Sequence, residues 1–211
     1  MTRRAPGVPF LGALMSGAMA WVCPASACIT TYTADIQRFQ RERDTGALET
    51  LMREIAESHP HAPTIENTND LAVAWILSGR VPQGIELLRG LEQRSSGNAI
   101  VAANLGTALE IAGDEDEALT WIRESVRRDP QENQGAEWVH VKILEAKVAL
   151  KRDPHWLRKN SVIGWREGQR MPLDERSQPR SARKLGDAIQ YQLRRLQGIV
   201  APGHRCGGGG R

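Results

Sequence analysis

In this chain of 211 residues, histidines close to carboxylates are candidates for acid–base chemistry. His140 follows Glu137 by one predicted helical turn and precedes Glu145, so a carboxylate could orient the imidazole as a general base. An ordinary His–carboxylate hydrogen bond in the core explains the same spacing, and we favour that interpretation. His59 and His61 flank a proline in a predicted loop without a third ligand, which indicates a solvated turn rather than a metal site.

Motifs for phosphate binding or nucleophilic catalysis do not occur in the sequence. It contains neither a GxxxxGK[ST] loop nor a GxSxG elbow. We therefore predict no catalytic residue, no metal site and no cofactor. The hydrophobic fraction of 40% and the charged fraction of 25% are typical of a globular domain, which excludes wholesale disorder and a multi-pass membrane protein.

Residues 1–27 have the pattern of a secretory signal peptide. Arg3 and Arg4 provide a positive start, and residues 8–22 are apolar but shorter than the ~20 residues that a bilayer span needs. The small residues 25–27 then form a cleavage site. A buried N-terminal helix is the alternative. The pattern predicts export, to the periplasm or to a membrane-anchored form, in a bacterium.

Cys28 would be the first residue after that cleavage. Ser26 and Ala27 before it resemble a bacterial lipobox, although Ala25 stands where that box normally has leucine. Three fates stay open for the thiol: lipidation, a disulfide bond with Cys206 in an oxidising compartment, or a free side chain.

Charge is distributed unevenly along the chain. Residues 28–150 contain 12 Lys and Arg against 20 Asp and Glu, whereas residues 151–211 contain 14 against 5. A basic tail on an acidic body either folds back, docks on an acidic surface, or is simply solvated. Nucleic-acid binding is disfavoured, because no aromatic platform accompanies the basic residues.

Residues 99–130 predict two amphipathic helices joined by a tight turn. Leu105 and Leu109 share one helical face, and Gly113 can end that helix in the left-handed conformation. Asp114 can cap the next helix, and Pro130 disfavours its continuation. The stretch is therefore a helical hairpin.

This hairpin closely resembles the tetratricopeptide repeat, a family with a 34-residue period. The matching residues are Leu105, Gly106, Gly113, Ala118 and Pro130, at repeat positions seven, eight, fifteen, twenty and thirty-two when Ala99 is position one. An offset of 34 residues places Leu71, Gly79 and Gly84 in the same register. The clearest repeats are thus 65–98 and 99–132.

The resemblance implies an all-α fold, a short solenoid of helical hairpins closed by a C-terminal capping helix. A degenerate first repeat and a terminal helix extend the array. The domains predicted are a repeat array over 33–157, an irregular linker over 158–181, a basic amphipathic helix over 182–200 and a flexible glycine-rich tail over 201–211. The helix at 182–200 either caps the array or docks on a membrane surface or partner, and its apolar stripe could also fill the groove.

Members of the family usually bind a protein segment in a concave groove lined by the first helix of each hairpin. Carried onto this sequence, the groove residues are Asn69, Val73, Ile76, Leu77, Ile100, Ala103, Thr107, Glu110, Ile111 and Val141. We therefore expect a non-catalytic scaffold or adaptor of the cell envelope with a protein partner. The alternatives are a membrane-surface module, anchored by a lipidated Cys28 or by the basic helix, and an enzyme that uses His140 and Glu137.

Overall fold

The computed structural model describes residues 29, 31–32, 45–58, 64–168 and 171–198, and this part of the chain is mostly helical, as predicted for an all-α fold. The helices are α1 (Thr45–Ser58), α2 (Ile65–Leu77), α3 (Val81–Arg94), α4 (Ala99–Ala112), α5 (Glu115–Arg128), α6 (Glu137–Arg152) and α7 (Ala182–Gly198). A short turn (Glu132–Gly135) precedes α6, and a 3-10 turn (Trp156–Arg158) follows it. The predicted signal peptide, Cys28, His59, His61 and the tail with Cys206 lie outside the described residues.

Helices α2 to α5 form two hairpins with the same local signals. Helix α4 begins 34 residues after α2, and α5 begins and ends 34 residues after α3. Thr64 and Asn98 cap the first helices, each accepting a hydrogen bond from the backbone N–H three residues later. Gly79 and Gly113 follow those helices with left-handed φ values of 86° and 87°. The sequence period is therefore also a structural period.

The two helices of each hairpin cross at a glycine. A Cβ on Gly84 would lie 2.5 Å from Ile76 Cγ1 and 2.9 Å from the backbone oxygen of Ala72. In the second hairpin, a Cβ on Gly106 would lie 2.7 Å from the side chain of Ile122. Side chains of any size are excluded at both crossings, which explains why the helices approach so closely.

A continuous hydrophobic core runs from α1 to α6. Leu88, Leu105, Ile122 and Leu144 are fully buried in it. Helix α6 continues past Lys147, which stands where Gly113 ended α4, and in the described part of the chain the next α-helix is α7 rather than the second helix of a third hairpin. Its outer side is covered by α7 instead, through a second apolar cluster of Ala136, Trp138, Val139, Leu185, Ala188 and Tyr191.

The segment between α6 and α7 contains a small antiparallel hairpin. Strands β1 (Gly164–Trp165) and β2 (Pro172–Leu173) pair, and Leu173 also forms a bridge with Pro179. The buried carboxylate of Asp174 organises the following loop by accepting hydrogen bonds from two backbone N–H groups and from Arg180. The predicted irregular linker therefore has local order of its own.

Ion pairs join the second helices of neighbouring hairpins. Arg128 of α5 binds Glu92 of α3 through two hydrogen bonds of 2.6 and 2.8 Å, and both side chains are nearly buried. Arg89 of α3 binds Glu117 of α5 at an exposed position. Hydrogen bonds from Arg127 and Arg128 lower the pKa of Glu124 from 4.5 to about 2.

Candidate functional site

The structure places most of the predicted groove residues inside the protein. Asn69, Val73, Ile76, Ala103, Thr107, Glu110 and Val141 are buried, whereas Leu77, Ile100 and Ile111 are half-buried. We call the side of α2, α4 and α6 that carries these ten residues the groove face. Because α4 is buried throughout 101–110, the groove face is not an open apolar surface. A partner could reach its half-buried members directly.

Ile29, Thr31 and Tyr32 lie outside any helix, and Tyr32 contacts α2 and the start of α4. We call these three described residues segment 29–32. Ile29 belongs to the hydrophobic core, and Thr31 is buried as well. The backbone N–H of Tyr32 donates to Asp70 Oδ1 at 2.9 Å, and its hydroxyl accepts from Asn98 Nδ2 at 3.1 Å. The segment thus combines an apolar anchor with polar contacts.

Segment 29–32 is connected to the groove face through side-chain amides. Asp70 Oδ1, which accepts from Tyr32, also accepts from Asn69 Nδ2 at 3.2 Å. Asn69 Oδ1 in turn accepts from Asn104 Nδ2 at 2.8 Å. Buried amides and carboxylates of this kind are retained only where they are hydrogen-bonded. The predicted groove residue Asn69 therefore joins α2 to α4 and stands one residue from the contact with the segment.

The hydroxyl of Tyr32 lies in acidic surroundings. Burial raises its pKa above the ordinary value of 10.0, and the carboxylates of Glu66, Glu132 and Asp70 raise it further. The hydrogen bond from Asn98 acts in the opposite direction. The Tyr32 hydroxyl therefore keeps its proton to a higher pH than an exposed tyrosine does.

His140 is fully buried between two carboxylates. Its Nδ1 lies 3.0 Å from Glu137 Oε2, and its Nε2 lies 2.9 Å from Glu110 Oε2. Two ionised carboxylates can both accept from this ring only when both of its nitrogens carry a proton. Glu145 does not contact the His140 ring, because it pairs with Arg123 and Lys142. Neither ring nitrogen is left to contact a substrate or a metal ion.

Hydrogen bonds extend from this histidine in both directions. Glu110 Oε1 accepts from Lys147 Nζ at 2.6 Å, and Glu137 Oε1 accepts from Asn133 Nδ2 at 2.7 Å. Asn133 Oδ1 accepts from the hydroxyl of Tyr191 on α7 at 2.6 Å. One chain of polar contacts therefore links α4, α6 and α7.

The turn before α6 has an unusual backbone. Asn133, Gln134 and Gly135 have consecutive positive φ values of 54°, 61° and 68°. A non-glycine residue in this region is uncommon, and the side-chain contacts of Asn133 with Glu137 and Tyr191 hold it there. The sequence offers no signal for this turn beyond the tolerance of asparagine for the left-handed region.

A cavity of about 350 Å³ lies between this turn, the loop after β2 and α7. Its lining is polar and carries both charges: Arg176, Arg180, Lys184, Glu175 and Asp187. Arg180 is held by Asp174, at 2.7 Å. The lining therefore presents no single sign of charge to a ligand.

Metal ligands do not converge anywhere in the described residues, where no group of three or more His, Cys, Asp and Glu side chains is arranged to hold an ion. Among the described helices, none combines the length and the apolar character that a membrane crossing requires. No protein-family model matches this chain, and no curated protein matches it. The function is therefore argued from the geometry above.

Proposed function

We propose that this protein is a non-catalytic scaffold of the tetratricopeptide type, which binds a segment of a partner protein at its groove face. The observation that carries the proposal is segment 29–32, which is held against the repeats by the buried Ile29 and by hydrogen bonds of Tyr32 with Asp70 and Asn98, beside the groove residue Asn69. This contact is an example of how these helices hold a non-helical segment of chain. Peptide recognition commonly combines such backbone contacts with pockets for side chains.

The repeated hairpins support the scaffold interpretation. The two hairpins have the same kind of cap and glycine turn, Asn69 joins α2 to α4 through Asn104, and His140 joins α6 to α4 through Glu110. Repeat proteins of this architecture generally use such extended surfaces for binding. Because fold alone does not establish function, the proposal depends on the contacts of segment 29–32 rather than on the resemblance.

The environment of His140 supports binding rather than catalysis. A general base must reach the proton that it abstracts, whereas this ring is fully buried and both nitrogens contact carboxylates. We interpret Glu110, His140 and Glu137 as a polar support that positions α4 against α6.

Loss of a captured partner from a groove variant is the result that we expect. The bait is the full chain with Ile100→Glu and Ile111→Glu, since these two groove residues are only half-buried and tolerate change better than Val73. Leu157→Glu, at a 51% exposed leucine beyond α6, is the matched control. Crosslinking in the native cell envelope should capture a protein with the parent and the control, and not with the groove variant.

Capture of the same proteins by all three baits would contradict binding at the groove face. Circular dichroism of each bait first establishes that the groove variant is folded. The proposed location in the cell envelope is tested separately by fractionation. In that setting, cleavage after Ala27 would leave Cys28 as the first residue, directly before the core residue Ile29.

A membrane-surface role is the second candidate, favoured by the width of the apolar stripe on α7. Leu185, Ala188 and Tyr191 are buried against α6, whereas Ile189 and Leu193 are 38% and 53% exposed. An exposed apolar row on a basic helix can lie on an anionic lipid surface.

Vesicle flotation tests this second candidate. The full, unlipidated chain should bind vesicles of phosphatidylglycerol and phosphatidylcholine at low salt, and binding should weaken at high salt because exposed charges are screened. The change Ile189→Gln with Leu193→Gln should abolish binding, while Leu157→Gln, another exposed leucine, should not. No binding at low salt would count against a membrane role for α7.

A further inference from the structure

The carboxylate of Glu175, in the loop after β2, has few partners in the described part of the chain. Its side chain is only 11% exposed, and its Oε1 lies 3.5 Å from Nε of Arg176, a side chain that is 60% exposed. Its Oε2 is buried without a hydrogen bond to any described residue. Buried carboxylates are normally hydrogen-bonded, because water no longer solvates their charge. A cationic donor from a ligand would therefore stabilise Glu175.

Glu175 lines the cavity between the turn before α6, the loop after β2 and α7, which we call the α7 cavity. Arg180 lines it too, and its Nε donates to Asp174 Oδ2 at 2.7 Å. No acceptor for the two terminal nitrogens of Arg180 occurs among the described residues. Because Asp174 holds one edge of the guanidinium, these nitrogens are a positioned pair of donors, a geometry that suits a carboxylate.

Lys184 and Asp187 add one charge of each sign to the α7 cavity. Both are exposed residues of α7, and neither forms an ion pair with a described residue. Trp138 and Ala188, which are 5% and 3% exposed, supply an apolar wall. The volume of about 350 Å³ is near the lower end of the range for ligand pockets, roughly 300–1,000 Å³. The α7 cavity therefore suits a small molecule that carries both charges and an apolar group.

We propose that the α7 cavity binds a free α-amino acid with an apolar side chain. The ammonium group of the ligand pairs with Glu175, and its carboxylate accepts from Arg180 and Lys184. Its side chain packs on Trp138. A ligand of one sign would meet like charges as well as opposite charges in this cavity, whereas a zwitterion meets an opposite charge at each end. This site is separate from the groove face, and the inference does not depend on the proposed scaffold function.

Calorimetric titration of the full chain compares L-leucine with two analogues that each lack one charge. The amine 3-methylbutylamine keeps the side chain and the ammonium group, and the acid 4-methylpentanoate keeps the side chain and the carboxylate. Leucine should bind saturably, and each analogue should bind at least about tenfold more weakly, because one charged hydrogen-bonding group is missing. L-Phenylalanine is titrated as well, to establish which size of apolar side chain the wall accepts.

Glu175→Gln should weaken leucine binding about tenfold, because the amide keeps the shape of the side chain and loses the charge that pairs with the ammonium group. Binding of 4-methylpentanoate should not weaken, since this acid has no ammonium group. Glu167→Gln is the matched control, because Glu167 is an exposed glutamate outside the lining of the α7 cavity. It should leave leucine binding unchanged.

The carboxylate end of the ligand is tested at an exposed position of α7. Lys184→Gln should weaken leucine binding about threefold, because one exposed charge that pairs with the carboxylate is lost. Binding of 3-methylbutylamine should not weaken. Arg183→Gln is the control, since Arg183 is also exposed on α7 but does not line the α7 cavity.

The absence of saturable binding of both amino acids to the folded parent chain would overturn the inference. An amine that binds as tightly as leucine would reduce the cavity to a cation site, and an acid that does so would reduce it to an anion site. These comparisons use the parent chain, so they decide the question even if Glu175→Gln does not fold. Equal weakening by Glu175→Gln and Glu167→Gln, with both variants folded, would contradict binding in the α7 cavity.

Discussion

Arg128→Met should lower the free energy of unfolding by about 3–5 kcal/mol, because it leaves the buried carboxylate of Glu92 without its partner. The two side chains are 9% and 7% exposed. The same guanidinium also donates to Glu124 and to the backbone carbonyl of Asn98, the residue that caps α4. Its loss therefore affects α3, α4 and α5 together. Urea unfolding of the full chain measures the change.

Arg89→Met is the matched control for this prediction. Arg89 also pairs with a glutamate of the neighbouring hairpin, Glu117, but its side chain is 46% exposed. An exposed pair contributes at most about 1 kcal/mol, so the control should lose little stability. Arg128→Met combined with Glu92→Leu should be more stable than Arg128→Met alone, because no buried carboxylate is then uncompensated. If Arg128→Met and Arg89→Met lower the free energy of unfolding by equal amounts, burial does not explain the contribution of the Arg128–Glu92 pair.

Gly84→Ala should lower the free energy of unfolding by about 1–3 kcal/mol, because the added methyl group overpacks the first helix crossing. Its nearest neighbours would be Ile76 Cγ1 and the backbone oxygen of Ala72, both closer than 3.0 Å. The oxygen belongs to the backbone and cannot rotate away. Thermal and urea unfolding of the full chain measure the loss.

Gly90→Ala on the same helix is the control, and it should raise the free energy of unfolding. An added Cβ there meets only Arg94 Nη1 at 3.3 Å, the far end of a flexible side chain. Alanine in a helix is favoured over glycine by about 0.5–1 kcal/mol when nothing opposes it. The repeat pattern by itself would favour alanine at Gly84 too, since Ala118 stands at the equivalent position. If Gly84→Ala stabilises the protein instead, α2 and α3 do not cross as closely at Gly84 as the structure indicates.

The helical hairpins could be anticipated because their signals are local. Gly113 ends α4 in the left-handed conformation, and Asp114 caps α5 through the N–H of Glu117. A helix was expected over 182–200, and α7 spans Ala182–Gly198. Caps, glycines and apolar residues at helical spacing depend on neighbours within a few positions, which any reader of the sequence can see.

Short elements without such signals were not anticipated. Each strand of the hairpin β1–β2 has two residues, too few for an alternating pattern, and it lies in the region expected to be irregular. The left-handed turn at Asn133 and Gln134 depends on Tyr191, which is 58 residues further along the chain. Contacts between residues so far apart in the chain cannot be recognised from a short stretch of sequence.

The candidate site also combines contacts that the sequence predicted with contacts that it did not. The spacing of His140 and Glu137 correctly indicated a hydrogen-bonded pair, whereas Glu145 proved to pair with Arg123 and Lys142. Glu110, the second carboxylate at His140, comes from another helix. The burial of most groove residues was not apparent from the sequence, because the pattern of one helix does not show what covers it.

The helical hairpins, their 34-residue period and the glycines at their turns can be predicted from the residues alone, because these features depend on backbone preferences and on neighbours within one helical turn. Which polar groups meet depends on the packing of the helices: Asn69 contacts Asn104, Glu110 contacts His140, and Asp70 contacts Tyr32. Each of these pairs spans 30 or more residues. Their contact depends on how the helices cross and on where a distant segment lies, which no local pattern specifies.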